Sequence, residues 1–152
     1  MIFLEKQLRS LLNDELKDIE LISNSIDKTK EIAYLIAKYS TNNLILALNG
    51  ELGSGKTTFM QGFAKYFNIE NQVSSPTFTI VNEYSNNIFH FDVYRLKNEE
   101  DFLNSIGDEY FNKGICIIEW AQVIQNILPK RTIFIDIKKD STNNRLIHIW
   151  RK

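Results

Sequence analysis

The sequence predicts an α/β fold, a mixed and mainly parallel sheet with antiparallel hairpins and flanking helices, on three observations. Leu44 to Leu48 is an uninterrupted apolar run suited to a buried strand; GELGSGKTT follows from Gly50, and Phe59, Met60, Phe63, Ala64 and Phe67 then recur at helical spacing. A second apolar run, Ile115 to Ile118, stops at an acid, Glu119. Two further segments, Val73 to Leu96 and Thr132 to Arg151, alternate like strands around polar turns. The order strand, Gly-rich loop, helix is the context in which G-x-x-x-x-G-K-[ST] marks a phosphate-binding loop, so the α/β fold is of the P-loop NTPase type.

Composition narrows the class. A chain of 152 residues is most simply one domain around one core. Its formal net charge of −1 supplies no general attraction for nucleic acid, so no direct, stable nucleic-acid binding is expected. The lone Cys116 sits inside an apolar run, cannot form an internal disulfide and reads as a small core residue. The opening MIFLEK turns charged after four residues and no apolar run approaches membrane-spanning length, so a cytoplasmic protein is expected.

In chain order, Phe3 to Leu21 carries Leu4, Leu8, Leu11, Leu12, Leu16 and Ile19 at a mostly helical period. Residues 1–24 are therefore read as an N-terminal helical extension, either packed on the same domain, which is the preferred reading, or held out as an arm for a partner; residues 25–152 form the P-loop domain. Asp27 is the expected N-cap of the next helix, with Thr29 in its first turn and Ile32, Leu35, Ile36 and Tyr39 as its apolar stripe. Ser40 to Asn43 turns the chain into the first apolar run. Gly62, inside the helix after the loop, marks close packing on the sheet.

Around Ser85, Asn86 and Asn87 the enrichment in Val, Thr, Ile, Phe and Tyr reads as a β-hairpin whose asparagines accept positive φ. Pro76 belongs at the start of its strand, leaving Ser74, Ser75 and Thr77 in a polar loop that either approaches a γ-phosphate or merely satisfies a turn. Lys97 to Asn112 reads as helical until Gly107 interrupts, and a short helix after Trp120 stops before Pro129. Thr132 to Lys138 and Leu146 to Arg151 form the last hairpin around DSTNN.

The chemistry follows from the loop. Gly50, Gly53 and Gly55 allow positive φ or close backbone approach, so that several N–H groups between Glu51 and Thr58 (Glu51, Leu52, Gly53, Ser54, Gly55, Lys56, Thr57, Thr58) converge on a polyphosphate. Lys56 then reaches the β- and γ-phosphates, the Thr57 hydroxyl is a candidate Mg²⁺ ligand, and the following helix adds the partial positive charge of its N-terminus. Hydrolysis further needs a carboxylate for the metal or the attacking water. Glu119 and Asp92, each closing an apolar strand, are the candidates. Trp120 shapes the nucleotide pocket or a partner surface, or else fills the core. His90, on the face of its strand shared with Asp92, either orients that acid or is a buried structural histidine. Arg95, Arg131 and Arg145 remain as candidates for phosphate charge compensation, and two histidines with one cysteine do not make a metal cluster.

GELGSGKTT at Gly50, SSPTFTIVNEY from Ser74, HFDVYRL from His90 and IEW from Ile118 occur in an order that resembles the bacterial tRNA threonylcarbamoyladenosine biosynthesis ATPase family, TsaE. The resemblance runs from about Ser25 to the C-terminus, and residues before about Leu21 look like an extension. It implies a small P-loop ATPase that uses ATP and Mg²⁺ and acts with TsaD and TsaB in making the threonylcarbamoyl modification of adenosine in tRNAs; because Asp92 and Glu119 come without an obvious acceptor site and partners complete the placement of catalytic groups, weak hydrolysis by the isolated protein is expected. Carried onto this chain, it implies Thr57 and Glu119 as Mg²⁺ ligands and Asp92 as a catalytic residue. It also implies Thr77 in a switch-like loop facing the phosphates, and Thr29, Trp120 and Arg145 at the border of the nucleotide. Ala121 and Gln122 depart from the family, which often carries a further acid after EW. The rival classes are a small-molecule kinase, which would need an acceptor pocket and usually an arginine-bearing lid, and a nucleotide-sensing module without hydrolysis.

Overall fold

A computed structural model of the chain describes residues 2–71, 73 and 81–152. The chain runs α1 (Ile2–Leu12), β1 (Asp18–Ser23), α2 (Ile26–Tyr39), β2 (Ile45–Gly50), α3 (Lys56–Tyr66), β3 (Val81–Tyr84), β4 (Ile88–Asp92), α4 (Glu99–Ser105), β5 (Ile115–Glu119), β6 (Ile133–Lys139) and β7 (Arg145–Arg151). Short 3-10 segments at Glu109–Asn112 and Ala121–Ile127 bracket β5.

The strands make one sheet in the order β1-β7-β6-β2-β5-β4-β3. Its centre, β6-β2-β5-β4, is parallel, and β1, β7 and β3 are added antiparallel at the two sides. The near-continuous apolar strands follow from burial on both faces. Alternate residues point to opposite sides: Leu46, Leu48, Ile117, Ile133 and Ile135 pack with α1, α2 and α3, whereas Ile45, Ala47, Cys116, Ile118 and Phe134 pack with α4 and the 3-10 segments. Cys116 is a core residue, as expected, and burial pushes its thiol pKa up to about 12.

Three expectations change. The periodic N-terminal segment is helical only to Leu12; Ile19 and Leu21 lie on β1, which pairs with β7, so Ile19 reaches the core from a strand. An apolar i, i+3, i+4 pattern over Leu4, Leu8 and Leu11 runs into a period-2 pattern, and the two merge when read as one. The N-cap of α2 is Ser25, whose hydroxyl accepts from the Lys28 amide, and Asp27 lies within the first turn. The helix after Lys97 spans Glu99–Ser105, and Gly107 at φ +80 interrupts it as expected, with a 3-10 turn beyond. Gly62 meets a helix rather than the sheet: a Cβ there would lie 2.5 Å from the Lys30 Cα and carbonyl oxygen of α2.

The hairpin turn is as expected, with Asn86 and Asn87 at φ 68 and 56 between β3 and β4. Pro76 and the Ser74 to Thr77 loop lie outside the described residues. No helix among the described residues is long and apolar enough to cross a membrane.

Candidate functional site

β2 ends between β5 and β6, and the chain turns there through Glu51–Gly55 into α3. Such a crevice outside the carboxyl ends of parallel strands is where ligands of open α/β sheets collect. Gly53 and Gly55 adopt φ +81 and +117, which an L side chain would strain. Gly50 is required for a different reason. A Cβ there would collide with the Ser54 hydroxyl and lie 2.9 Å from the Ile137 carbonyl oxygen, so its bare Cα lets the loop close against β6.

Arg145 braces the loop from β7. Its Nε donates to the Ser54 carbonyl at 2.6 Å and its Nη2 to that of Gly53 at 3.4 Å. The turn before it is closed by Asp140, whose Oδ1 accepts from the Thr142 hydroxyl and from the Thr142 and Asn144 amides at 2.8 to 2.9 Å. The Thr142 hydroxyl is the largest cause holding that carboxyl below the usual range. Because carbonyls pointed at a cation leave the amides of the same peptides facing the opposite way, the brace orients donors as well as fixing the loop.

Opposite the loop, Asp92 and Glu119 are cross-strand partners at the carboxyl ends of β4 and β5. With Lys56, Thr57, Thr58 and Arg145 they border a cleft of about 660 Å³, whose apolar rim is Ile26, Leu52, Tyr94 and Trp120. Leu52 stands 95% exposed at the loop's tip. Trp120 is in the left-handed region at φ 59, and its ring lies 4.8 Å from that of Tyr94, centroid to centroid. The Lys56 ammonium sits 4.1 Å from the Trp120 ring centroid and donates to the Gly50 carbonyl at 2.5 Å. Burial lowers the Lys56 pKa, against the pull of Glu119 and Asp92. Burial raises that of Asp92 and the Glu119 charge adds to it, against the Tyr94 amide bonded to its Oδ1 at 3.0 Å.

Thr29 is buried and shares a 2.7 Å hydrogen bond with the Ser23 hydroxyl. It borders a second cavity of about 290 Å³, which has Ile26, Gly55, Thr58 and Arg145 in common with the cleft. The structure thus brings together Thr29, Leu52, Gly53, Ser54, Gly55, Lys56, Thr57, Thr58, Asp92, Glu119, Trp120 and Arg145 around the loop; Glu51 lines a pocket on the loop's other side, toward β6. Thr77 lies outside the described residues. Arg131 is elsewhere, donating to the carbonyls of Asn43 and Phe111, and Arg95 lines neither cavity. His90 does not orient Asp92: its Nε2 is 2.7 Å from Glu119 Oε2. Sequence reasoning missed Ile26, Tyr94 and Asn143. For Tyr94 there was a signal, two residues past Asp92 in the run HFDVYRL; for Ile26 and Asn143 there was none.

The Thr57 hydroxyl and the two carboxylates on this cleft are hard oxygen donors, suited to a small divalent cation that keeps further oxygens from phosphate or water. Among the described residues no group of three or more His, Cys, Asp or Glu could hold a metal.

A glycine loop between a central parallel strand and a helix, faced by two acids from neighbouring strands, defines a P-loop NTPase fold. The chain belongs to the TsaE family: residues 23–147 match the family model described as threonylcarbamoyl adenosine biosynthesis protein TsaE. It is similar to tRNA threonylcarbamoyladenosine biosynthesis protein TsaE of Bacillus subtilis, 42% identical over 125 residues that cover 80% of this chain and 78% of that one. The protein of the same name from Haemophilus influenzae is 40% identical over 126 residues, 78% of this chain and 79% of that one. Among solved structures, that of YdiB from Bacillus subtilis superposes with a TM-score of 0.68 at 31% identity, covering 89% of this chain and 86% of that one.

Proposed function

We propose that this protein binds and hydrolyses ATP with Mg²⁺, as a cytoplasmic component of the machinery that makes threonylcarbamoyladenosine in tRNA, together with TsaD and TsaB. The observation that carries the reading is the pairing of Asp92 with Glu119 across β4 and β5, facing the glycine loop, Lys56 and Thr57 in one cleft. Membership of the TsaE family supports the pathway.

The amides from Glu51 to Thr58 would cradle the phosphates, with Lys56 opposing the charge of the β- and γ-groups. Thr57 and Glu119 would hold Mg²⁺, which when bound neutralises charge on the β- and γ-phosphate oxygens. Asp92, its proton affinity raised by burial, is fitted to orient a water and accept its proton. Thr29, Trp120 and Arg145 would border the nucleotide, and Thr77 would belong to a loop facing the phosphates. Leu52 and Tyr94 stand exposed at the rim of the cleft, and with the final placement of catalytic groups completed by partners, turnover by the isolated protein should be weak.

Calorimetry with ATP and ADP in Mg²⁺ tests binding, and steady-state hydrolysis with and without the TsaB and TsaD proteins tests the rest. Uptake of nucleotide and stimulation by the partners are expected. No uptake by folded protein overturns the reading, and turnover that ignores the partners but requires an added metabolite would make this a kinase.

A further inference from the structure

We infer that His90 and Tyr84 are positioning residues that aim Glu119 at the metal, an inference resting on the assignment of Glu119 to Mg²⁺ proposed above. His90 is 2% exposed, on the α3 side of β4 with Ile88. Its Nε2 lies 2.7 Å from Glu119 Oε2, and its Nδ1 lies 3.1 Å from the hydroxyl of Tyr84, itself buried on β3. Three strands, β3, β4 and β5, thus contribute one side chain each to a continuous chain of hydrogen bonds that ends at the cleft.

The donor and acceptor inventory orders this chain. A carboxylate oxygen only accepts, so the hydrogen between His90 and Glu119 is on Nε2. In the neutral ring Nδ1 is then an acceptor, and the Tyr84 O–H donates to it. Glu119 Oε2 is in this way tethered to a buried ring that cannot rotate without breaking two hydrogen bonds. Its side chain, 13% exposed, leaves Oε1 as the oxygen for a cation. A flexible carboxylate side chain loses much of its rotamer freedom on binding a metal, and a tether set during folding removes that cost beforehand. Asp92 is held differently among the described residues: its Oδ1 accepts from the Tyr94 amide two residues on. The two acids are therefore built for different work, Glu119 held and Asp92 free to exchange a proton.

The test reads metal affinity apart from activity. The Mg²⁺ concentration that half-saturates the Mg²⁺-dependent gain in binding of a fluorescent ADP analogue is measured for the parent, His90→Leu, His90→Gln, Tyr84→Phe and Glu119→Ala, with binding in EDTA as the control. His90→Leu should raise that midpoint by about tenfold, while affinity in EDTA stays within about twofold. His90→Gln, whose Nε2 can donate to Glu119 from a similar distance, should recover most of the loss, and Tyr84→Phe should shift the midpoint by about threefold in the same direction. A parent-like midpoint in His90→Leu, or an equal loss in EDTA, overturns the inference alone when Glu119→Ala responds. Should Glu119→Ala leave the Mg²⁺ dependence unaltered, the metal assignment fails and this inference with it. If His90→Leu does not fold, Tyr84→Phe and His90→Gln decide: a parent-like midpoint in Tyr84→Phe overturns the relay.

Discussion

At Asp92 the chain buries a carboxyl beside a second carboxyl, and the cost is readable as a proton affinity. A pKa raised in the folded state means that the native protein holds the proton more tightly than the unfolded chain does. Stability is then lost as pH rises from the ordinary aspartate value through the raised one, and the loss persists at neutral pH. Asp92→Asn should therefore melt above the parent at neutral pH, with the gap closing as pH falls and the parent's carboxyl protonates. Hydrolysis should drop about 10²-fold. Melting curves at two pH values and a steady-state assay check both halves, and identical melting at neutral pH would reject the sign. Lys56 is destabilised by the same burial in the opposite sense, as an ammonium stripped of water. The left-handed Trp120 adds backbone strain beside them. Several local costs on one cleft are what a binding site carries and a mere core does not.

At the scale of elements, α2 and α3 approach so closely that only hydrogen fits between Gly62 and the Lys30 backbone. Alanine is the better helix former by about 1 kcal/mol, yet its methyl would force these helices apart. Overpacking outweighs propensity, so Gly62→Ala should lower stability by about 1–3 kcal/mol in urea unfolding. A stabilised variant would show that the contact yields. The opposite demand holds at α1, where Leu4, Leu8 and Leu11 fill the groove beside α2. Leu8→Ala should cost about 2–5 kcal/mol while nucleotide affinity is unchanged, which denaturation and calorimetry together measure. Leu8 stands where sequence periodicity placed it, since apolar spacing reports which face is covered. What spacing did not report was the covering element: Gly62 faces a helix, and the pattern that built α1 ran on into a strand.

Over the whole molecule, the site is assembled from strands on both sides of the sheet's centre. Arg145 on β7 holds carbonyls of the loop after β2, 91 residues earlier. Arg145→Ala should weaken nucleotide binding about tenfold without unfolding the protein, and Arg145→Lys should restore little, because an ammonium cannot span two carbonyls as the planar fork does. Equal affinities for the lysine variant and the parent would reduce Arg145 to a simple charge. The phosphate loop, both acids, Trp120 and the two hairpins were legible in the sequence, since each is written in contiguous residues: a motif, an apolar run ending in an acid, or an alternation with asparagines at its turn. Covalent order alone determines such features, because local steric and hydrophobic patterns act over a few residues. Which strands lie side by side was decided only by tertiary structure. That pairing set Asp92 against Glu119, turned His90 to Glu119 and Tyr84 rather than to Asp92, and brought Arg145 onto the loop. Hydrogen bonds between side chains far apart in sequence depend on how the sheet orders its strands, and no local pattern encodes that order.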